Sequence, residues 1–299
     1  VIRNPTSLLQ ELQMTWAPAF LAAPLDHTST PQYLAARLPL MVFESPATPA
    51  PSRFANHIRK VPSMSPGPDG LPASAWKVAA TIGGEILQKM SSLVSRGLPL
   101  PYGFNFSLGV YIQKKPAAGD AVEVIRDAEA LRTLNLKNFD SKGVAAIANS
   151  DLVPPLQSWT SAAQRGNVRG RQFVHNILEL DTHARIRDCL HLPGALPTLD
   201  LRNAFPSLCQ AFFFLVLAAA GVPEGLVEII RAVYAQAGVL SAFSSAPTTF
   251  LYFIWAGVVQ GCPLSGSAFA MSFDVFLREL QLLLDAKNRG DTKACADDV

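Results

Sequence analysis

Gly257-Val258-Val259-Gln260-Gly261-Cys262-Pro263-Leu264-Ser265 organises the second half of this chain. Its glycines and proline read as a loop, and it joins two strongly patterned stretches. Thr248 to Trp255, before it, is rich in β-forming residues and reads as a strand; Ser265 to about Ala286, behind it, reads as a long helix. Further towards the N-terminus, Ser207 to Ala220 and Glu224 to Ala235 read as apolar-faced helices separated by Gly221-Val222-Pro223, and Ala195 to Leu201 reads as a strand that carries Asp200 near its end. In the other direction, Cys295 to Val299 begins a strand and a turn. The succession predicts an α+β fold.

Two acidic positions stand out in that frame. Asp200 lies within Thr198-Leu199-Asp200-Leu201-Arg202-Asn203-Ala204-Phe205, and Cys295-Ala296-Asp297-Asp298 sets two adjacent carboxylates in a short apolar context. Joining a 3′-hydroxyl to a nucleotide α-phosphate takes two divalent ions about 3.5–4 Å apart, one at the attacking oxygen and one at the leaving group. Magnesium accepts one or two carboxylates together with phosphates and water. A carboxylate at a strand end and a pair at a hairpin tip would supply such a cage. An isolated Asp-Asp is more often an ordinary turn, so the order of the remaining signals decides.

Those signals are Ser65-Pro66-Gly67-Pro68-Asp69-Gly70-Leu71-Pro72, then Leu131-Arg132-Thr133-Leu134-Asn135-Leu136, then Gln164-Arg165-Gly166 with Gly170-Arg171, followed by the Asp200 segment, the Gln260 loop and the aspartate pair. In this order they resemble the reverse transcriptases of non-LTR retrotransposons, and the Gln-Gly-Cys-Pro-Leu-Ser run is the most specific of them. The resemblance extends from about residue 63 to the last residue. It departs from the family pattern at Thr133 (usually Pro), Pro206 (commonly Asp), Val259 (Arg), Gly266 (Pro) and Cys295 (aromatic). None of these removes a metal ligand, and together they are compatible with a diverged or decaying element copy.

The resemblance implies a polymerase right-hand fold, with an N-terminal lead-in over 1–60 and fingers with an incomplete palm over 61–299, the thumb absent. It implies RNA-directed DNA synthesis with two Mg2+ ions (Mn2+ as a substitute), an RNA template, a DNA primer and deoxynucleoside triphosphates. Asp200, Asp297 and Asp298 are the implied catalytic and metal carboxylates. Lys114 or Lys115 and Arg132 are the implied triphosphate cations, Phe205 the steric gate against a 2′-hydroxyl, and Gln260 and Gly261 the loop under the nucleotide and template base. Main-chain groups of Leu201 to Ala204 are expected against the triphosphate. The alternative reading is a catalytically inactive retroelement remnant that at most binds nucleic acid; a group II intron maturase is a weaker third.

Composition sets wider bounds. The chain has 299 residues, 49% apolar and 16% charged, a folded composition with fewer charges than the usual ~25%. A net charge of +2 does not by itself announce a nucleic-acid binder. Its distribution says more: no acidic residue falls between Leu152 and Leu178, where Arg165, Arg169 and Arg171 form a candidate nucleic-acid contact. Cys189, Cys209, Cys262 and Cys295 show no metal-ligand spacing and fit a reduced, intracellular setting; the resemblance implies that this setting is the nucleus. The apolar run Ala211 to Ala220 is too short for a membrane span, which takes about 20 residues. Cys262, with no nearby histidine, reads as a packed residue.

In the first half, Trp16 and Phe20 suggest a short helix, and Ala47 to Ser52 a looser stretch. About Pro72 to Ser95, Asn138 to Ala148 and Val168 to Arg187 read as helices, and Tyr111 to Pro116 as a strand. A start at Val1 without methionine and an end just after the aspartate pair predict a piece of a longer product. Residues 1–299 alone are then expected to show negligible polymerase activity and weak, salt-sensitive primer-template binding.

Overall fold

The computed structural model of the protein describes residues 4–22, 24–44, 49–116, 120, 126–201, 203–241, 248–287 and 290–298. Arg202, Val299 and residues 47–48 of the looser stretch lie outside them. Helix α1 (Pro5–Trp16) starts where the Asn4 side chain accepts from the Thr6 and Ser7 amides, and a 3-10 turn at Pro18–Phe20 follows. Helices α2 (Ser29–Arg37) and α3 (Pro51–Lys60) complete the first sixty residues. Phe54, Ala55 and Ile58 form the buried face of α3, while Arg59 and Lys60 remain exposed, so the helix must dock. Leu12, Trp16, Phe20, Leu34, Phe54 and Ile58 accordingly share one hydrophobic core with Leu152, Leu217 and Leu264.

Several expected elements have other bounds. The helix read over 72–95 is two, α4 (Ala73–Val78) and α5 (Ala80–Val94), broken at Ala79. Helix α6 (Phe139–Trp159) runs well past Ala148 and through Pro154 and Pro155. Burial of Leu152, Pro155, Leu156 and Trp159 overrides the low propensity of proline there. Helix α7 (Val174–Cys189) starts later than expected, because a turn at 168–173 with Gly170 at φ +81° precedes it. Short α8 (Ala204–Ser207), then α9 (Gln210–Ala219), α10 (Glu224–Tyr234) and α11 (Ser265–Asp285) follow.

Among the described residues the sheet has four strands in the order β2-β1-β3-β4. These are β1 (Ser107–Gln113), β2 (Leu131–Lys137), β3 (Gly238–Ser241) and β4 (Phe250–Phe253). β1 pairs antiparallel with β2 along its whole length and parallel with β3; β3 pairs antiparallel with β4. The strand read at Tyr111 to Pro116 therefore begins earlier, where β2 offers partners, and the short β3 carries no alternation long enough to read. The architecture is mixed α and β.

One reading is corrected. Ala195 to Leu201 is not a strand: it is irregular and exposed, with Leu196 67%, Leu199 51% and Leu201 41% accessible. Pro197 lacks an amide donor and Pro193-Gly194 precedes it, so backbone chemistry works against a ladder, and among the described residues no strand pairs with this segment. Asp200 consequently stands on an irregular, exposed segment.

Candidate active site

The Gln260 loop is held from three sides. On β2, the Asn135 amide donates to the Gln260 carbonyl at 2.7 Å. Gly261 has φ +114°, and a Cβ there would stand 2.4 Å from the Asn135 carbonyl oxygen, so only glycine permits this approach. On the Asp200 side, the Val258 amide donates to the Phe205 carbonyl at 2.9 Å, and Gln210 Nε2 donates to the Gly257 carbonyl at 2.9 Å. On α11, the Ser265 hydroxyl donates to the Val259 carbonyl at 2.6 Å. The half-buried Phe205 ring stacks on Phe269 with centroids 4.9 Å apart. Cys262, within the loop, is buried, as a packed residue should be.

The aspartate pair sits on a tight turn. The Cys295 amide donates to the Asp298 carbonyl at 2.8 Å, and Ala296 adopts a left-handed φ of +58°. Gln164, completely buried, joins its carboxamide to both backbone groups of Ala296. Gly166 lies so close that a Cβ would fall 1.9 Å from the Ala296 nitrogen. Asp297 is half-buried and Asp298 exposed. The Asp297 carboxyl is held above the ordinary carboxylate range, first by burial and then by the negative charges of Asp298 and Asp200, while Arg132 pulls the other way.

That electrostatic coupling brings Asp200, Asp297, Asp298 and Arg132 into one neighbourhood. It does not make a metal cage: among the described residues, no group of three or more His, Cys, Asp and Glu side chains is arranged to hold an ion. Lys114 donates to the Glu129 carbonyl at 3.0 Å and reaches Asn203 Oδ1 at 3.5 Å, at the start of the Phe205 segment. Lys115 and Arg132 are exposed.

The three arginines separate. Arg171 donates from one nitrogen to the Gln157 and Thr160 carbonyls at 3.1 and 2.7 Å, and from the other to those of Ser161 and Gln164. It thereby caps the C-terminal end of α6. Arg165 pairs with Glu179, which Lys293 also contacts at 2.7 Å. These hydrogen bonds pull the Glu179 carboxyl down to about 2, that of Lys293 most strongly. Arg169 is exposed. The Gln164 side-chain contact with the aspartate turn escaped the sequence reading: a glutamine beside a basic stretch gives no sign of total burial.

Residues of β2, the Phe205 segment and α11 thus hold the Gln260 loop, while the Gln164 segment holds the aspartate turn. Over 250 residues, 79% of the chain, it is 28% identical to the Transposon TX1 uncharacterized 149 kDa protein of Xenopus laevis. Over 96 residues, 32% of the chain, it is 34% identical to the Retrovirus-related Pol polyprotein from type-1 retrotransposable element R2 of Bradysia coprophila. The chain is related to non-LTR retrotransposon proteins. It spans 18% and 10% of the length of these two retrotransposon relatives. No family model matches it. No helix among the described residues is long and apolar enough to cross a membrane.

Proposed function

We propose that this chain forms the fingers and part of the palm of a right-hand polymerase, an RNA-directed DNA polymerase of a retroelement acting in the nucleus. The observation that carries this reading is the seating of the Gln260 loop between β2 and the Phe205 segment, with the charge of Asp297 linked to Asp200 and Arg132. A reverse transcriptase needs the same parts side by side: cations for the triphosphate, a loop beneath the nucleotide, and clustered carboxylates.

In this reading Lys114, Lys115 and Arg132 neutralise the triphosphate as charge builds on pyrophosphate. Gln260 and Gly261 support the nucleotide against its template base, and Phe205 excludes a 2′-hydroxyl sterically. Asp200, Asp297 and Asp298 are the carboxylates for two magnesium ions, which would activate the primer 3′-hydroxyl and steady the leaving group. Among the described residues the carboxylates do not by themselves close a cage. Arg169 is the arginine of its stretch best exposed to contact template or primer phosphates.

The test is primer extension by the full-length protein on an RNA template. Asp200→Asn and Asp297→Asn should each lower extension by at least about 10³-fold, with RNA affinity within about twofold of the parent. Extension rates equal to the parent's would sink the assignment. A second reading, an inactive retroelement remnant that at most binds nucleic acid, draws on the loop position of Asp200. It predicts salt-sensitive RNA binding and no extension by the parent itself.

A further inference from the structure

We propose that Gln164 is the positioning residue of the Asp297-Asp298 turn, its carboxamide fixing the direction in which both carboxylates are presented. The proposal rests on the polymerase reading above and deepens it. Gln164 is fully buried, yet every polar atom of its side chain is used on or beside this turn. Nε2 donates to the Ala296 carbonyl at 2.9 Å; Oε1 accepts from the Ala296 amide at 2.9 Å and from the Gly166 amide at 2.8 Å. The side chain therefore acts as one more strand residue, pairing with both backbone groups of the residue before Asp297.

Ala296 needs that support. A left-handed backbone is unfavourable for a residue with a side chain and persists only where the surroundings over-determine it. Here they do so from Gln164 outward. The Arg165 amide donates to the Ala294 carbonyl at 2.9 Å, the Ala294 amide donates to the Ala163 carbonyl at 2.8 Å, and Asn176 Nδ2 donates to the Ala294 carbonyl at 2.9 Å. Gly166 leaves the space in which the turn lies, because any side chain there would overlap the Ala296 backbone. Arg171, bonded to the Gln164 carbonyl at 2.7 Å, ties the same segment to the end of α6. Glutamine, glycine and arginine of one sequence segment thus form a single cradle under the two aspartates.

Gln164→Asn in the full-length protein keeps the carboxamide and withdraws it by one methylene. Amide hydrogen exchange at Ala296 should then accelerate by about tenfold or more. The maximal rate of primer extension should fall by about 10²-fold, the loss expected for a misplacement near 1 Å. Primer-template affinity should stay within about twofold, and half-maximal extension should require more magnesium. Should Gln164→Asn fail to fold, Gln164→Met, of similar length but without the carboxamide's donor and acceptor, carries the same measurements. Unchanged exchange at Ala296, or faster exchange with an unchanged extension rate, would overturn the proposal. A parent protein that extends no primer overturns the polymerase reading and with it the catalytic half of this one, while exchange at Ala296 still decides whether Gln164 holds the turn.

Discussion

Phe205 rests one part of its ring on Phe269 and keeps the remainder accessible, so the ring is braced by the core without being absorbed into it. A steric gate needs that combination, since a mobile ring yields to a hydroxyl and a buried one never meets it. Phe205→Ala should therefore raise ribonucleotide incorporation by about 10-fold or more relative to deoxynucleotide incorporation, with only a modest loss of the latter. Competitive incorporation on one template measures the ratio. A ratio equal to the parent's returns Phe205 to a packing role.

Two helices, α6 and α7, flank the arginine-rich segment, and what they offer assigns different work to similar residues. Arg171 meets the carbonyls at the end of α6, where cations are favoured by the unpaired oxygens and the helix dipole. Arg171→Ala should cost about 1–3 kcal/mol by urea unfolding, the range for leaving buried acceptors unpaired. Arg169→Ala should leave stability within about 0.5 kcal/mol of the parent and weaken RNA binding while lowering its salt dependence. On α7, Glu179 links Arg165 to Lys293, at the base of the aspartate turn. Its pKa falls from 4.5 to about 2 on folding, so its contribution is complete above 4.5 and is lost as pH falls towards 2. The acid-induced loss of melting temperature across that window should therefore be smaller in Glu179→Gln than in the parent, and equal slopes would remove the link.

At the scale of the molecule, the first sixty residues brace the site from behind. Phe20 stacks on Tyr252 with centroids 5.5 Å apart, and its carbonyl accepts from the Trp255 and Ala256 amides at 3.0 and 2.9 Å, immediately before the Gln260 loop. The Met41 amide donates to the Ala220 carbonyl, and Trp159 Nε1 donates to the Pro39 carbonyl. Because these contacts seat the N-terminal helices in the same core as β4 and α11, the two parts are expected to unfold together. Phe20→Ala should destabilise the whole chain by about 3–5 kcal/mol, through lost burial and the cavity left behind. Circular dichroism and tryptophan fluorescence should report one shifted transition; two separate transitions would show that the N-terminal helices fold apart from the rest.

The residues themselves determined the chemistry on offer: Asp200, Asp297 and Asp298 as clustered charge, Gly261 as a point of close approach, and long helices at α10 and α11 whose apolar spacing needed no partner to be legible. The relationship to retrotransposon proteins was carried there too, because order along the chain survives where overall identity is modest. Tertiary structure decided the rest. Ala195 to Leu201 has strand-like side chains but pairs with no strand among the described residues, and a ladder requires two backbones. Helix α6 continues through two prolines because its last turns are buried, and burial outweighs local propensity. In the sequence Arg171 reads as a candidate nucleic-acid contact and Gln164 as one residue of a motif, yet both turn to the backbone, because groups of Ala296 and of the α6 terminus need partners that only a distant segment brings within reach.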